Sequence, residues 1–236
     1  MTMYRVKLLK YVQEAADTFT YFFEKPADLT WEEGSHTHIA MLGFDAGSMP
    51  DRDLVRHMSL ATLPQENSLG ITTRIPREPS TFKTMLSEMK VGDEAIIFKI
   101  GSKLALRRKD RPLVFLSMGV GIAAFRPVIL AYTGNPDHIP QLINVNVDSS
   151  GTFIFKEELE ALESPTYHNY WHSSRLEFYA GLKDLAQELS DAIYYVVGSD
   201  FFIKDVIAAL RAEQVGDQDI IIDKKDILLP FFFEKL

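Results

Sequence analysis

Near Arg107 the chain changes its hydrophobic period, and this change constrains its fold more than any other feature. Before it, the short stretches YRVKLL, FTYFFE, HTHIAML, LGITTRI and AIIFKI are punctuated by Gly, Pro and Asp. Side chains that alternate between core and solvent over such short runs make an antiparallel sheet or small barrel. After RRKDRP a short apolar strand is followed by a helix, three times over: LVFLSM with IAAFRPVILAY, LINVNV with FKEELEAL, and YYVVG with DFFIKDVIAALRAE. That alternation belongs to a parallel sheet wound with helices. The expectation is a two-domain chain, with an antiparallel β-barrel over residues 1–107 and an α/β doubly wound parallel-sheet domain over residues 108–236. A length of 236 residues is enough for two cores with a cleft between them. The cluster Arg107, Arg108, Lys109 and Arg111 at the join reads as a solvated linker.

Composition narrows the function. A net charge of −8 argues against nucleic acid as a partner, because phosphate backbones require a basic footprint. The chain has no cysteine, which removes disulfides, thiolate nucleophiles and cysteine-ligated zinc or iron–sulfur clusters. The longest apolar run, around Pro112 to Met118, is far too short to span a membrane, and no charged-then-apolar segment opens the chain. A soluble, unprocessed, cytoplasmic protein is expected.

Two stretches point to chemistry. RHMSLAT puts Arg56 and Ser59 in what should be a β-strand, where polar side chains either face solvent or grip something. SMGVGIAAF, from Ser117 to Phe125, joins a buried strand to a helix through Gly119 and Gly121, so that backbone N–H groups can approach a pyrophosphate at a helix N-terminus. A second strand, AIYYVV, ends in Gly198 and Ser199 and feeds another helix. In a doubly wound sheet the two bare turns should face each other at the carboxyl rim, where such sheets bind ligands.

In this order, the pieces resemble the ferredoxin–NADP reductase superfamily over nearly the whole chain, with a flavin-binding barrel followed by a nicotinamide-nucleotide domain. The superfamily's barrel carries Arg-x-Tyr-Ser; here the stretch reads Arg56, His57, Met58, Ser59. The resemblance implies that Arg56 holds the flavin pyrophosphate, that Met58 packs on the isoalloxazine and that Ser59 hydrogen-bonds near flavin N5, which makes Ser59 the candidate catalytic residue. Arginine's planar fork suits phosphate, and a hydroxyl can donate to or accept from a nitrogen that changes protonation. LGITTRI resembles the next flavin-lining strand, with the backbone of Ile71, Thr72 and Thr73 along the cofactor. PSTFKTML resembles the short helix that meets the pyrophosphate, where Ser80 and Thr81 would supply donors. GVGIAAF resembles the Gly-x-Gly-Ile-Ala-Pro phosphate turn, with Gly119, Gly121, Ile122 and Ala123 in place and Ala124 where proline is common. VVGSDFFIKDVIAAL resembles the Cys-Gly-Pro segment beside the nicotinamide, with Val197 and Ser199 around Gly198. Methionine in place of the aromatic should loosen the flavin, since a thioether packs less firmly on a ring face. Val197 removes the thiol that often neighbours the nicotinamide.

The resemblance implies FAD as cofactor, NAD(P)H as hydride donor and a separate electron acceptor, protein or small molecule, since the missing cysteines exclude an attached plant-type ferredoxin module. The cofactor carries the hard chemistry, and no metal or protein nucleophile is required. Two other readings stay open: a flavin- or nucleotide-sensing module without efficient turnover, and a ferric or siderophore reductase of the same fold. LINVNVDSS places Asp148 just past the second strand of the nucleotide domain, where a carboxylate would accept from ribose hydroxyls and repel a 2′-phosphate, favouring NADH slightly. Arg175, in HSSRLEF with Ser173 and Ser174, could instead reach a 2′-phosphate.

Other residues read as structural. His168 and His172 in YHNYWH share the spacing of one helix face but lack a third metal ligand, and His36 and His38 alternate on one strand face as ordinary histidines. One of Phe231 to Phe233 could lie against the isoalloxazine, and a buried final strand explains them equally well.

Overall fold

The computed structural model describes residues 2–234, and the chain divides between Ala105 and Leu106 into two compact units. The first is an antiparallel half-barrel of β1 (Met3–Ala15), β2 (Thr18–Glu24), β3 (Ser35–Met41), β4 (Val55–Ser59), β5 (Ser68–Arg74) and β6 (Glu94–Ser102), in the order β4-β3-β6-β1-β2-β5. Alternation puts Val6 and Leu8 of β1, Tyr21 and Phe23 of β2, Ile39 and Met41 of β3 and Leu69 and Ile71 of β5 into one core. The α-helix α1 (Thr81–Glu88) of this unit adds Phe82 and Leu86 to that core. These two residues lie four apart on one helix face, and burial of each contributes about 1.5–3 kcal/mol. The open side between β4 and β5 is joined just beyond β4, where the Ala61 N–H donates to Gly70 O at 2.8 Å and the Gly70 N–H donates to Thr62 Oγ1 at 2.8 Å.

The second unit is a five-stranded parallel sheet of β7 (Leu113–Met118), β8 (Leu142–Val147), β9 (Tyr167–His172), β10 (Ile193–Val197) and β11 (Ile220–Ile222), ordered β11-β10-β7-β8-β9. Its helices are α2 (Ile122–Gly134), α3 (Lys156–Glu160), α4 (Arg175–Glu188), α5 (Asp200–Ala212) and α6 (Leu229–Phe233). The first strand lies in the middle and the chain winds outward both ways, so the order of winding reverses between β7 and β10 while all strands stay parallel. Every residue of β8 and β10 is buried, as expected of strands covered on both faces. No helix among the described residues is long and apolar enough to cross a membrane.

Three local expectations change. YHNYWH forms the edge strand β9 rather than a helix; the spacing of four still puts His168 and His172 on one face, because a strand repeats every two residues. LLPFFFEKL ends in the short helix α6 rather than a strand, opened by Pro230 near its start; Phe232 is buried and Phe231 exposed, while Lys235 and Leu236 lie outside the described residues. The basic cluster is more than solvated linker. Arg111 donates from Nε to Asp191 O at 2.7 Å and pairs with Asp219 Oδ1 at 2.8 Å, tying together the loops before β10 and β11, and the Arg107 N–H donates to the Tyr195 hydroxyl at 2.9 Å.

Candidate functional site

Strand β4 separates its polar residues onto two faces. Arg56 and Met58 share the face toward the barrel core, where Met58 packs half-buried and the Arg56 guanidinium lies 5.6 Å from the centre of the Phe82 ring. His57 and Ser59 point the other way. Register pairs His36 with Ser59 and His38 with His57, so three imidazoles and a hydroxyl gather on the outer face. The His36 and His57 rings are 4.2 Å apart, the His38 and His57 rings 5.2 Å, and His38 stacks on Phe98 at 5.3 Å. No group of three or more His, Asp or Glu side chains among the described residues is arranged to hold a metal ion.

Phe82 brings Arg56 to the start of α1. The first amides of a helix have no intrahelical acceptor, and Ser80 at the N-cap makes no side-chain capping bond to them. Ser80 and Thr81 are exposed. Two more cations converge here. Lys83 Nζ donates to Arg74 O at 2.6 Å, and Arg74 pairs with Asp17 at 3.4 Å. The Lys83 ammonium is held below the usual lysine pKa, first by burial and then by the charges of Arg56 and Arg74. Arg56 itself donates from one terminal nitrogen to the carbonyls of Arg52, Asp53 and Val55, at 3.1, 3.3 and 2.7 Å. Cations crowd around a row of open amides, and the first turn of α1 carries no carboxylate. Such a place can hold an anion.

Beside it runs the edge strand β5. The Gly70 amide and carbonyl both point outward to the segment after β4, so alternation turns the backbone of Thr72 and Arg74 outward as well, while Ile71 and Thr73 pair with Tyr21 and Phe19 of β2. The Ile71 side chain is in the core, and the Thr72 hydroxyl meets the Thr20 hydroxyl at 2.9 Å.

In the second unit the turns after β7 and β10 lie side by side, since Ser117 and Val197 are register partners. Gly119 has φ +55°, and a Cβ on Gly121 would stand 2.8 Å from Val197 O. Beneath them the buried Asn146 side chain donates to Ser117 Oγ at 2.8 Å and to Gly119 O at 3.2 Å, which fixes the turn from below. Ile122 and Ala123 are buried, so only their backbone faces the rim. The Ser199 hydroxyl caps α5 by accepting from the Phe202 N–H at 3.3 Å. Asp148 and Arg175 reach the same rim farther along. The Asp148 carboxylate accepts from the Ser150 N–H at 2.9 Å, and the exposed Arg175 donates to Met118 Sδ at 3.4 Å, beside the Gly119 turn. Ser174 caps α4 by accepting from the Leu176 N–H at 3.2 Å.

Sequence reasoning missed Lys83, Arg74 and Asn146. A signal for Lys83 was present: a cation in the first helical turn opposes the helix dipole, and acids are normal there. Asn146, within an apolar strand, was the signal for a buried hydrogen bond.

No protein-family model and no curated protein matches the chain. Solved structures do. The ferredoxin–NADP⁺ reductase of Neisseria gonorrhoeae with bound FAD and NADP aligns with TM-score 0.79 at 14% identity, over 94% of this chain and 98% of that one. The cytochrome b5 reductase domain of Ulva prolifera nitrate reductase aligns with TM-score 0.74 at 15% identity, over 94% and 97%. The flavohemoglobin of Malassezia yamatoensis with bound FAD and heme aligns with TM-score 0.74 at 16% identity, over 94% of this chain but 60% of that one, so the chain spans about three fifths of that protein. At these identities the likeness establishes the fold: an antiparallel half-barrel followed by a parallel sheet with helices, the two-domain fold of ferredoxin–NADP reductases.

Proposed function

We propose that the chain is an FAD-dependent oxidoreductase that takes a hydride from NAD(P)H and passes electrons to a separate acceptor, with residues 1–107 holding FAD and residues 108–236 the nicotinamide nucleotide. The observation that carries this reading is the convergence of Arg56 and Lys83 on the uncapped start of α1. With Asp17 paired to Arg74, those two cations remain, and their charge matches the two negative charges of a flavin diphosphate. The donor set therefore fits the group. FAD, when bound, supplies the ring that accepts the hydride and releases electrons onward.

The residues of the chain bind and align. Arg56 and the amides at Ser80 and Thr81 would hold the diphosphate, while the outward backbone of Thr72 lies along the flavin, flanked by Ile71 and Thr73. Met58 would meet the ring edge, and Ser59, with His57 beside it, would offer its hydroxyl near N5. Gly119, Gly121, Ile122 and Ala123 present backbone N–H groups to the nucleotide phosphates, and Gly198 with Ser199 forms the neighbouring wall. We place NADH ahead of NADPH because the Asp148 carboxylate at the strand end repels a 2′-phosphate; Arg175 is the opposing charge.

The test is the absorption spectrum of the purified protein before and after adding FAD. Flavin bands that stay with the protein through a desalting column are expected, as is their bleaching by NADH or NADPH. A loaded protein that neither nucleotide reduces would leave the second reading, a flavin- or nucleotide-sensing module, which the half-buried Met58 and the buried Val197 favour.

A further inference from the structure

We propose that Lys83 is a phosphate-binding residue of the flavin site, its ammonium giving a hydrogen bond to the diphosphate beside Arg56; this rests on the flavin reading above. Lys83 is the third residue of α1, in the turn where the helix's own positive end repels a cation. Of the three charged side chains that act on it, Arg56 and Arg74 are cations too, and the carboxylate of Asp17, the only one that favours its charge, is 3.4 Å from Arg74. The present partner of Lys83, the Arg74 carbonyl at 2.6 Å, uses one of three ammonium donors and brings no charge to offset the surroundings. A lysine partly buried among like charges at a helix start is unfavourable by itself. An anion at the same place reverses the sign of every one of these interactions, and it would also take up the open amides of Thr81 and Phe82.

The position is specific in what it contacts. Arg56 reaches the start of α1 across Phe82 from β4, and Lys83, on α1 itself, is anchored over the outward backbone edge of β5, so the two cations would approach one anion from different elements. The ligand chemistry is therefore a phosphate or diphosphate ester, and the isoalloxazine has no part in it.

The experiment measures affinity for FAD and for riboflavin, which lacks phosphate, in wild type, Lys83→Met, Lys83→Arg and Arg56→Ala proteins, by quenching of flavin fluorescence. Lys83→Met is expected to weaken FAD about tenfold to a hundredfold, the range for a charged hydrogen bond, while riboflavin binding stays as in wild type. Lys83→Arg is expected to recover most of the loss. FAD affinity within twofold of wild type in Lys83→Met, or an equal loss for riboflavin, overturns the inference. If only Arg56→Ala weakens FAD, the inference falls and the flavin reading stands; if wild type binds no FAD, both fall. Should Lys83→Met not fold, pH decides. A bound phosphate favours the protonated amine, so wild type should lose FAD affinity as pH rises from neutral toward the ordinary lysine value of about 10.4, relative to Lys83→Arg, whose charge is fixed. Parallel pH profiles overturn the inference.

Discussion

Gly121 lies so close to Val197 that a Cβ on the glycine would stand 2.8 Å from the Val197 carbonyl oxygen and 3.3 Å from its carbonyl carbon. Both contacts are to backbone at the end of β10, which is bonded into the sheet on both sides and has little room to give. Gly121→Ala should therefore destabilise the second unit by about 1–3 kcal/mol, the usual cost of overpacking. Urea unfolding of the two proteins measures it, and an unchanged midpoint would contradict the close approach.

Arg56→Ala should weaken FAD binding by about 1.5–3 kcal/mol while leaving the fold intact, because one partner of a charged hydrogen bond is lost. Arg56→Lys should recover part of this only, since a point charge lacks the planar fork. Isothermal titration with FAD separates the three proteins, and equal affinity in all of them would take RHMS out of the site.

Asn146→Ala removes the side chain that holds Ser117 Oγ and Gly119 O from below. Leaving the buried Ser117 hydroxyl and the half-buried Gly119 carbonyl without their donor should cost about 1–3 kcal/mol of stability. Nucleotide binding should weaken as well, because the turn loses its support. Asn146→Asp should be worse, since it puts a carboxylate against the Gly119 carbonyl. Thermal unfolding and NAD(P)H titration are the two readouts.

Asp223 follows the last residue of β11, and its Oδ1 is buried without a hydrogen-bond partner among the described residues. Burial is the main cause that raises its pKa above the usual carboxylate value, partly opposed by Lys224. The folded protein thus holds this proton more tightly than the unfolded chain does. Its contribution to stability is complete below the unfolded pKa of about 3.9 and is lost as pH rises through the folded value. Asp223→Asn should be more stable than wild type at pH 7, and the advantage should vanish near pH 4 in paired urea titrations.

The nucleotide preference rests on two charges at one rim. Flavin reduction at matched, subsaturating NADH and NADPH should favour NADH in wild type, and the preference should narrow in Asp148→Ala. A wild-type preference for NADPH that disappears in Arg175→Ala would assign the adenosine end to Arg175.

The fold was legible because both halves show their period openly. Alternation in YRVKLL and HTHIAML returned as β1 and β3 with alternate residues in the core, and LINVNV and YYVVG returned as fully buried parallel strands. Short segments were harder. YHNYWH has a spacing that fits helix and strand alike, and only its place beside β8 decides for the strand. LLPFFFEKL looks like a strand by composition, but Pro230 opens a helical turn and the aromatic rings pack against α5 and β11 neighbours, with Lys204 3.3 Å above the Phe231 ring. For the candidate site, motif residues such as Arg56 and Gly121 could be read from local pattern. Lys83 and Asn146 showed only that something was unusual, because each gains its role from residues on other elements: Arg56 and Arg74 for one, Ser117 for the other.

The join between β4 and β5 sets how the half-barrel breathes. Neighbouring strands elsewhere in that sheet share whole ladders, whereas here the contact is a short one just beyond β4, where Gly70 bonds Ala61 and Thr62 and the Thr62 hydroxyl donates to Ser68 O at 2.7 Å. Partial opening should begin there, at a free-energy cost well below that of global unfolding. The amides of Ala61 and Gly70 would then exchange with deuterium sooner than those of β1 and β2, and any molecule laid across both strands would slow them. Exchange rates at this seam thus report occupancy of the barrel in a way that needs neither colour nor turnover.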